Sequence, residues 1–143
     1  KGTHCYHIFL LVLEFLWKLV ATSVDCTMSL ALAVDAANLL KLNHGISSEV
    51  IDLRVLSPLN SKNIINSVLK TKNLIVIDGG TKTSGFAAEI ITSVVESIPE
   101  CSLSSKPLRL TLPDCPAPTS RVLEDAYYPN VSNIVNKIVT NLE

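Results

Sequence analysis

Residues 73–80 read Asn-Leu-Ile-Val-Ile-Asp-Gly-Gly, a continuous apolar run closed by Asp78 and two glycines. Successive side chains of a strand point to opposite faces, so a run that is apolar at every position has to be buried on both. Parallel sheets covered by helices on each side impose that requirement. The run therefore predicts a layered α/β fold, and its flanks can be read against that expectation.

Upstream, residues 49–56 read EVIDLRVL, a short strand with Val50, Ile51, Leu53 and Val55 that ends at Ser57-Pro58 because proline cannot continue it. Asn60 or Ser61 can then cap a helix running to about Lys70, with Ile64, Ile65, Val68 and Leu69 on one face. Further upstream, TMSLALAVDAANLLKLNHG places Met28, Leu32, Ala36, Leu39 and Leu40 at helical spacing and stops at Asn43 and Gly45. Downstream, Ser84 and Gly85 lead into FAAEIITSVVESI, a helix ended by Pro99, and a polar loop follows. PLRLTLP between Pro107 and Pro113 is another strand. DCPAPTSRVLEDAYYP carries Pro116, Pro118 and Pro129 and is expected to be extended and irregular. The final NVSNIVNKIVTNLE lines up Val131, Ile134, Val135, Ile138, Val139 and Leu142 on one face of a closing helix. Alternating strands and helices predict a three-layer α/β/α sandwich around a mostly parallel sheet of about five strands, joined by right-handed crossovers.

The segment before residue 27 is different. IFLLVLEFLWKLV at 8–20 is the most apolar stretch, but it is thirteen residues long and contains Glu14 and Lys18. A membrane span needs about 20 apolar residues, so no membrane association is expected, and Glu14 argues against a secretory signal core. The i, i+4 spacing of Glu14 and Lys18 suits a helix, while the apolar density suits a buried strand, and both remain open. The chain starts with Lys rather than Met, which fits a processed or truncated piece.

At 143 residues and 48% apolar content, the chain is expected to hold a single core. Twelve basic against thirteen acidic residues leave a net charge of −1, which offers no field for a phosphate backbone, so nucleic acid is not an expected partner. The cysteines at 5, 26, 101 and 115 lack C-x-x-C spacing and read as ordinary thiols. His4, Cys5 and His7 with Cys26 make a zinc site conceivable, but it lacks a second paired knuckle and is disfavoured. Asn130-Val131-Ser132 matches a glycosylation sequon in a chain with no other secretory feature.

Open α/β sheets place ligands outside the carboxyl ends of their strands, which singles out Arg54, Asp78, Gly79, Gly80 and Asp114. Gly79, Gly80 and Gly85 fit neither the dinucleotide fingerprint nor the phosphate-loop lysine pattern, and read as a tight turn with close helix packing. There is no G-x-S-x-G elbow. The histidines, at 4, 7 and 44, offer no base to a nucleophile, and His44 reads as a cation at a helix C-terminus. Asp52 and Arg54 are two apart on a strand, which suits a local ion pair. Glu124 and Asp125 are adjacent carboxylates expected on a solvated surface. No residue is assigned a catalytic, cofactor-binding or metal-binding role.

Taken in order, EVIDLRVLSPLN, NLIVIDGG followed by TSGFAAEI, LRLTLPDCPAPTSRVLEDAYYPN and the final helix resemble the C-terminal domain of the beta subunits of thiamine-diphosphate-dependent 2-oxo acid dehydrogenases. Pyruvate dehydrogenase is the nearest member, and transketolase shares the domain more distantly. The resemblance covers residues 27–143 and leaves 1–26 as a divergent head, about fifteen residues longer than the family's strand and turn, given a usual two-to-six-residue connection. An insertion, a mispredicted exon or a frameshift would each produce it.

The resemblance implies that thiamine diphosphate and magnesium are held in the parent enzyme by other domains, that this domain binds no cofactor, and that it is inactive alone. It implies assembly with an alpha subunit and a second beta subunit, and docking to the dihydrolipoyl acyltransferase core, through the segment from Asp114 to Pro129 and the helix ending at Glu143. It also implies a mitochondrial matrix or bacterial cytoplasmic location, and a homodimer for the isolated domain. The competing expectation is a stand-alone small-molecule or anion-binding regulatory module.

Overall fold

In a computed structural model that describes residues 11–12, 20–22, 28–53 and 55–143, strand β4 (Ile75–Thr81) carries the apolar run. Leu74, Ile75, Val76 and Ile77 are all buried, and their alternation divides them between two cores. Ile75 and Ile77 join Leu110 of β5 (Leu108–Leu112), Ala33, Ala36 and Leu40 of α1 (Met28–His44), and Ile134, Val135 and Ile138 of the C-terminal helix at Val131–Leu142. Leu74 and Val76 join Ile64 and Val68 of α2 (Lys62–Thr71) and Ala87, Ile90 and Val94 of α3 (Phe86–Ser97) on the other face. The result is the expected three-layer sandwich.

Among the described residues the sheet has five strands, with β1 (Leu11–Val12), β2 (Val20–Thr22) and β3 (Glu49–Val50) completing the order β1-β3-β2-β4-β5. β3, β2, β4 and β5 run parallel to one another, and β1 is antiparallel to β3. Leu11, Val12 and Val20 of the apolar head therefore lie in strands. The Glu14–Lys18 spacing and the His4, Cys5, His7 and Cys26 group lie outside the described residues.

Three expectations need correction. Of the strand expected over 49–56, Glu49 and Val50 form β3 and Leu53 makes a separate bridge, among the described residues. β2 pairs with Glu49 and Val50 through Val20 and Ala21. Ser61 does stand at the N-cap of α2, but with helical φ and ψ and no side-chain cap bond. The proline-rich stretch contains a fourth helix in chain order, α4 (Arg121–Tyr127), followed by α5 (Val131–Leu142). Pro116 and Pro118 precede α4 and Pro129 follows it, so residues 119–128 are free of proline and a helix fits between the breakers.

At the amino ends of β4 and β5, polar side chains fasten the connections. Lys72 takes a left-handed φ of 60° and its amide returns to the Val68 carbonyl, closing α2. Buried Asn73 donates from Nδ2 to the Thr71 carbonyl at 3.2 Å and accepts from Ser105 Oγ at 2.7 Å. Asn141 of α5 donates to Ser105 Oγ and to the Lys106 carbonyl. One amide thus links the α2 exit to the approach into β5, and α5 is tied to the same point. At the start of α5, the Asn130 side chain accepts from the Asn133 amide at 2.8 Å, a side-chain N-cap.

Ile90→Ala, which empties a fully buried site, is expected to lower unfolding free energy by about 2–5 kcal/mol, whereas Leu42→Ala, on a residue 79% exposed, should shift it by less than about 0.5 kcal/mol. Urea denaturation of both variants measures the contrast.

Candidate functional site

The carboxyl end of β4 is where a ligand would be sought in this topology. Asp78 is 3% exposed there. Its Oδ1 accepts from the Gly80 amide at 2.8 Å and its Oδ2 accepts from the Ala87 amide at 2.9 Å. Ala87 is the second residue of α3, whose N-cap position is Gly85 and provides no side chain. Asp78 supplies the missing cap from the strand, placing a carboxylate at the positive end of the helix. Gly85 is held to glycine because a β-carbon there would collide with the Thr81 carbonyl oxygen, and one at Gly80 would stand 3.0 Å from Asp78 Oδ1. Gly79 and Gly80 belong to β4 itself rather than to a turn, and the close approach expected of the glycines falls chiefly on Gly85.

Asp114 follows β5 and reaches the same β4–α3 loop from the other side. Its Oδ1 accepts from the Thr83 amide at 2.9 Å and its Oδ2 from the Thr83 hydroxyl at 2.7 Å. These bonds, the amide first and the hydroxyl second, hold the Asp114 carboxyl below its ordinary value of 3.8, with help from Lys82. Arg109 Nη1 donates to the Lys82 carbonyl at 3.3 Å, and Thr81 Oγ1 donates to the Thr83 carbonyl at 3.0 Å. Residues 79–85 are thus gripped by a buried carboxylate beneath and an exposed one alongside.

Asp78, Gly79, Gly80 and Asp114 are therefore brought together. Arg54, and with it the expected Asp52–Arg54 pair, lies outside the described residues. Glu124 and Asp125 are exposed on α4, none of whose residues is buried. Val122 is 78% exposed and Leu123 58%. Tyr127 donates its hydroxyl to the Cys115 carbonyl at 2.9 Å and meets Tyr128 edge to face. Glu143 is exposed at the end of α5, near the entry to β5 marked by the Asn141–Lys106 bond, and so at the opposite end of that strand from Asp114.

Sequence reasoning missed Thr83, Arg109 and the cap on Ala87, because each makes a bond with a backbone amide or carbonyl at one end, which carries no side-chain signature. It also missed a polar cleft of about 330 Å³ between β3 and α2, lined by Glu49, Ile51, Asn63, Asn66, Ser67 and Lys70. Ser67 Oγ donates to Glu49 Oε2 across it at 3.1 Å.

Among the described residues no group of three His, Cys, Asp or Glu side chains could hold a metal ion. The oxygens of Asp78 and Asp114 already accept hydrogen bonds that build the loop, which is not the donor set of a metal–diphosphate site. No helix of the described residues is long and apolar enough to cross a membrane. Cys101 and Cys115 are free and exposed.

The family described as the transketolase C-terminal domain matches residues 19–134. The mitochondrial beta subunit of the pyruvate dehydrogenase E1 component from Saccharomyces cerevisiae is 35% identical over 115 residues, covering 80% of this chain and 31% of the relative. The Bos taurus counterpart is 35% identical over 109 residues, covering 76% of this chain and 30% of the relative. The chain thus spans about a third of the length of the curated relatives it matches. A solved structure described as a split-gene transketolase, an inactive beta4 tetramer, superposes with a TM-score of 0.65 at 17% identity, covering 84% of this chain and 36% of the other. That likeness concerns the fold.

Asp78→Ala would leave the Gly80 and Ala87 amides without their acceptor and is expected to cost about 1–3 kcal/mol. Gly85→Ala should be at least as damaging, since the obstacle is backbone. Chemical denaturation checks both. Because the folded-state pKa of Asp114 is depressed, its contribution is complete above the ordinary value of 3.8 and disappears as pH falls through the folded value. The difference in melting temperature between the wild type and Asp114→Ala should therefore shrink below about pH 3.8 and stay level from pH 5 to 7.

Proposed function

Because this chain belongs to the transketolase C-terminal domain family, we propose that it is the assembly domain of a pyruvate dehydrogenase-type beta subunit. In this reading it joins an alpha subunit and a second beta subunit, and it docks the dihydrolipoyl acyltransferase core. It provides no catalytic residue. Thiamine diphosphate and magnesium are held elsewhere in the parent enzyme, an oxidoreductase that decarboxylates a 2-oxo acid. The relatives' names place them in mitochondria, and the mitochondrial matrix is the proposed location here, with the bacterial cytoplasm as the counterpart for a prokaryotic parent.

The observation that carries the proposal is α4. Seven residues are too few for a self-supporting helix, which needs about 12–15, so a helix of this length depends on packing. Yet α4 buries none of its residues, and its adjacent Val122 and Leu123 face outward with Tyr128 41% exposed beside them. Covering such side chains contributes about 1.5–3 kcal/mol apiece, enough to anchor a partner. Glu124 and Asp125 supply a charged rim. Without a heteromeric partner, the same face favours self-association, and a homodimer is the expected state of the isolated chain.

The cleft between β3 and α2 favours a second reading, a small-molecule or anion-binding module. It requires that inorganic phosphate or a small carboxylic acid raise the melting temperature and that Lys70→Ala abolish the effect.

For the assembly reading, Leu123→Asp is expected to weaken association with a pyruvate dehydrogenase alpha subunit by at least about tenfold. The unfolding midpoint should not change, because Leu123 is 58% exposed. Surface plasmon resonance and thermal melting provide the two readouts, and undiminished binding by both Leu123→Asp and Val122→Asp would remove the proposal's support. Sedimentation velocity should show a dimer of the wild-type chain that Leu123→Asp converts to monomer.

A further inference from the structure

Segment 113–129 leaves the sheet at the end of β5 and rejoins the body at the Asn130 cap of α5. Between those points it holds α4, which buries nothing, and the Tyr127 hydroxyl bonds the Cys115 carbonyl, closing the segment on itself rather than onto the sheet. Among the described residues, the hydrogen bonds that tie the segment to the rest of the fold end on Asp114, two of them from Thr83 with support from the adjoining Lys82 amide. Thr83 sits in a loop that is itself held at its base by Asp78 and at Lys82 by Arg109. A fixed loop therefore grips a weakly attached segment at one residue.

We infer that the Thr83–Asp114 pair is a latch that positions segment 113–129, so that α4 stays presented in one place while the latch is closed and becomes mobile when it opens. Thr83 contributes two donors to one carboxylate, an arrangement that fixes the direction of Asp114 as well as its distance. Release frees the chain at Asp114 and, through the Tyr127–Cys115 bond, moves α4 with it as a unit. Thr83 and Asp114 are positioning residues here, and their bearing on partner binding rests on the proposed assembly role of α4. The latch itself does not need a partner.

Hydrogen–deuterium exchange on the full chain tests it. Thr83→Val and Asp114→Ala are expected to speed exchange of the α4 amides, including those of Glu124 and Tyr128 that bond the Ser120 and Glu124 carbonyls, by about three- to tenfold. The amides of β4 and α5 should not change, and Thr83→Ser, which keeps the hydroxyl, should behave as the wild type. Unchanged α4 exchange in both loosening variants would overturn the latch, as would a uniform rise across the chain or a failure of Thr83→Ser to restore protection. A latch that passes while Leu123→Asp leaves alpha-subunit binding intact would refute the docking role alone.

Discussion

Both helical layers rest on the burial of β4 from two sides. Leu74, Ile75, Val76 and Ile77 expose no more than 2% of their surface, and each layer receives alternate residues. A strand placed there cannot be half polar, because either polar face would be sealed under a helix without a partner. The helices answer in kind. α5 turns Ile134, Val135 and Ile138 inward, and α2 does the same with Ile64 and Val68. Neither helix would hold its conformation for long on propensity alone at these lengths.

Where β4 emerges from the core, the chemistry changes from burial to hydrogen bonding. The strand-end position that often receives a ligand in such sheets is used here to organise the backbone. Asp78 compensates for the absence of a side chain at Gly85, and Gly85 is required because the chain passes too close to the Thr81 carbonyl for any other residue. The two positions solve one problem jointly: a helix that starts hard against its strand needs a cap delivered from outside its own first turn. Asp114, from the segment after β5, holds the same loop from its other side. The acidic and glycine residues at these strand ends therefore have a structural role in the loop they hold.

Much of the architecture was legible in the sequence because it depends on periodicity. The period-two burial of 74–77 and the helical spacing of 131–142 each follow from side-chain direction, and the buried residues there match the expected faces. What was not legible depended on neighbours. The pairing of β3 with β1 and β2 is disclosed by no local pattern. α4 was obscured by flanking prolines that bound it rather than break it. Asp78 and Asp114 were visible as candidates from their place at strand ends, yet their roles were not, since the groups they bind are mainly amides.

The division of β4 between two cores also governs how the sequence can change over time. Ile75 and Ile77 belong to one cluster and Leu74 and Val76 to the other, with the backbone of the sheet standing between them. A volume change on the α1–α5 side is compensated by neighbours on that side, and the α2–α3 side can drift on its own schedule. Homologues of this chain should accordingly show covarying substitutions within each layer and near independence across the sheet, and a designer could rebuild one layer while leaving the other as it stands.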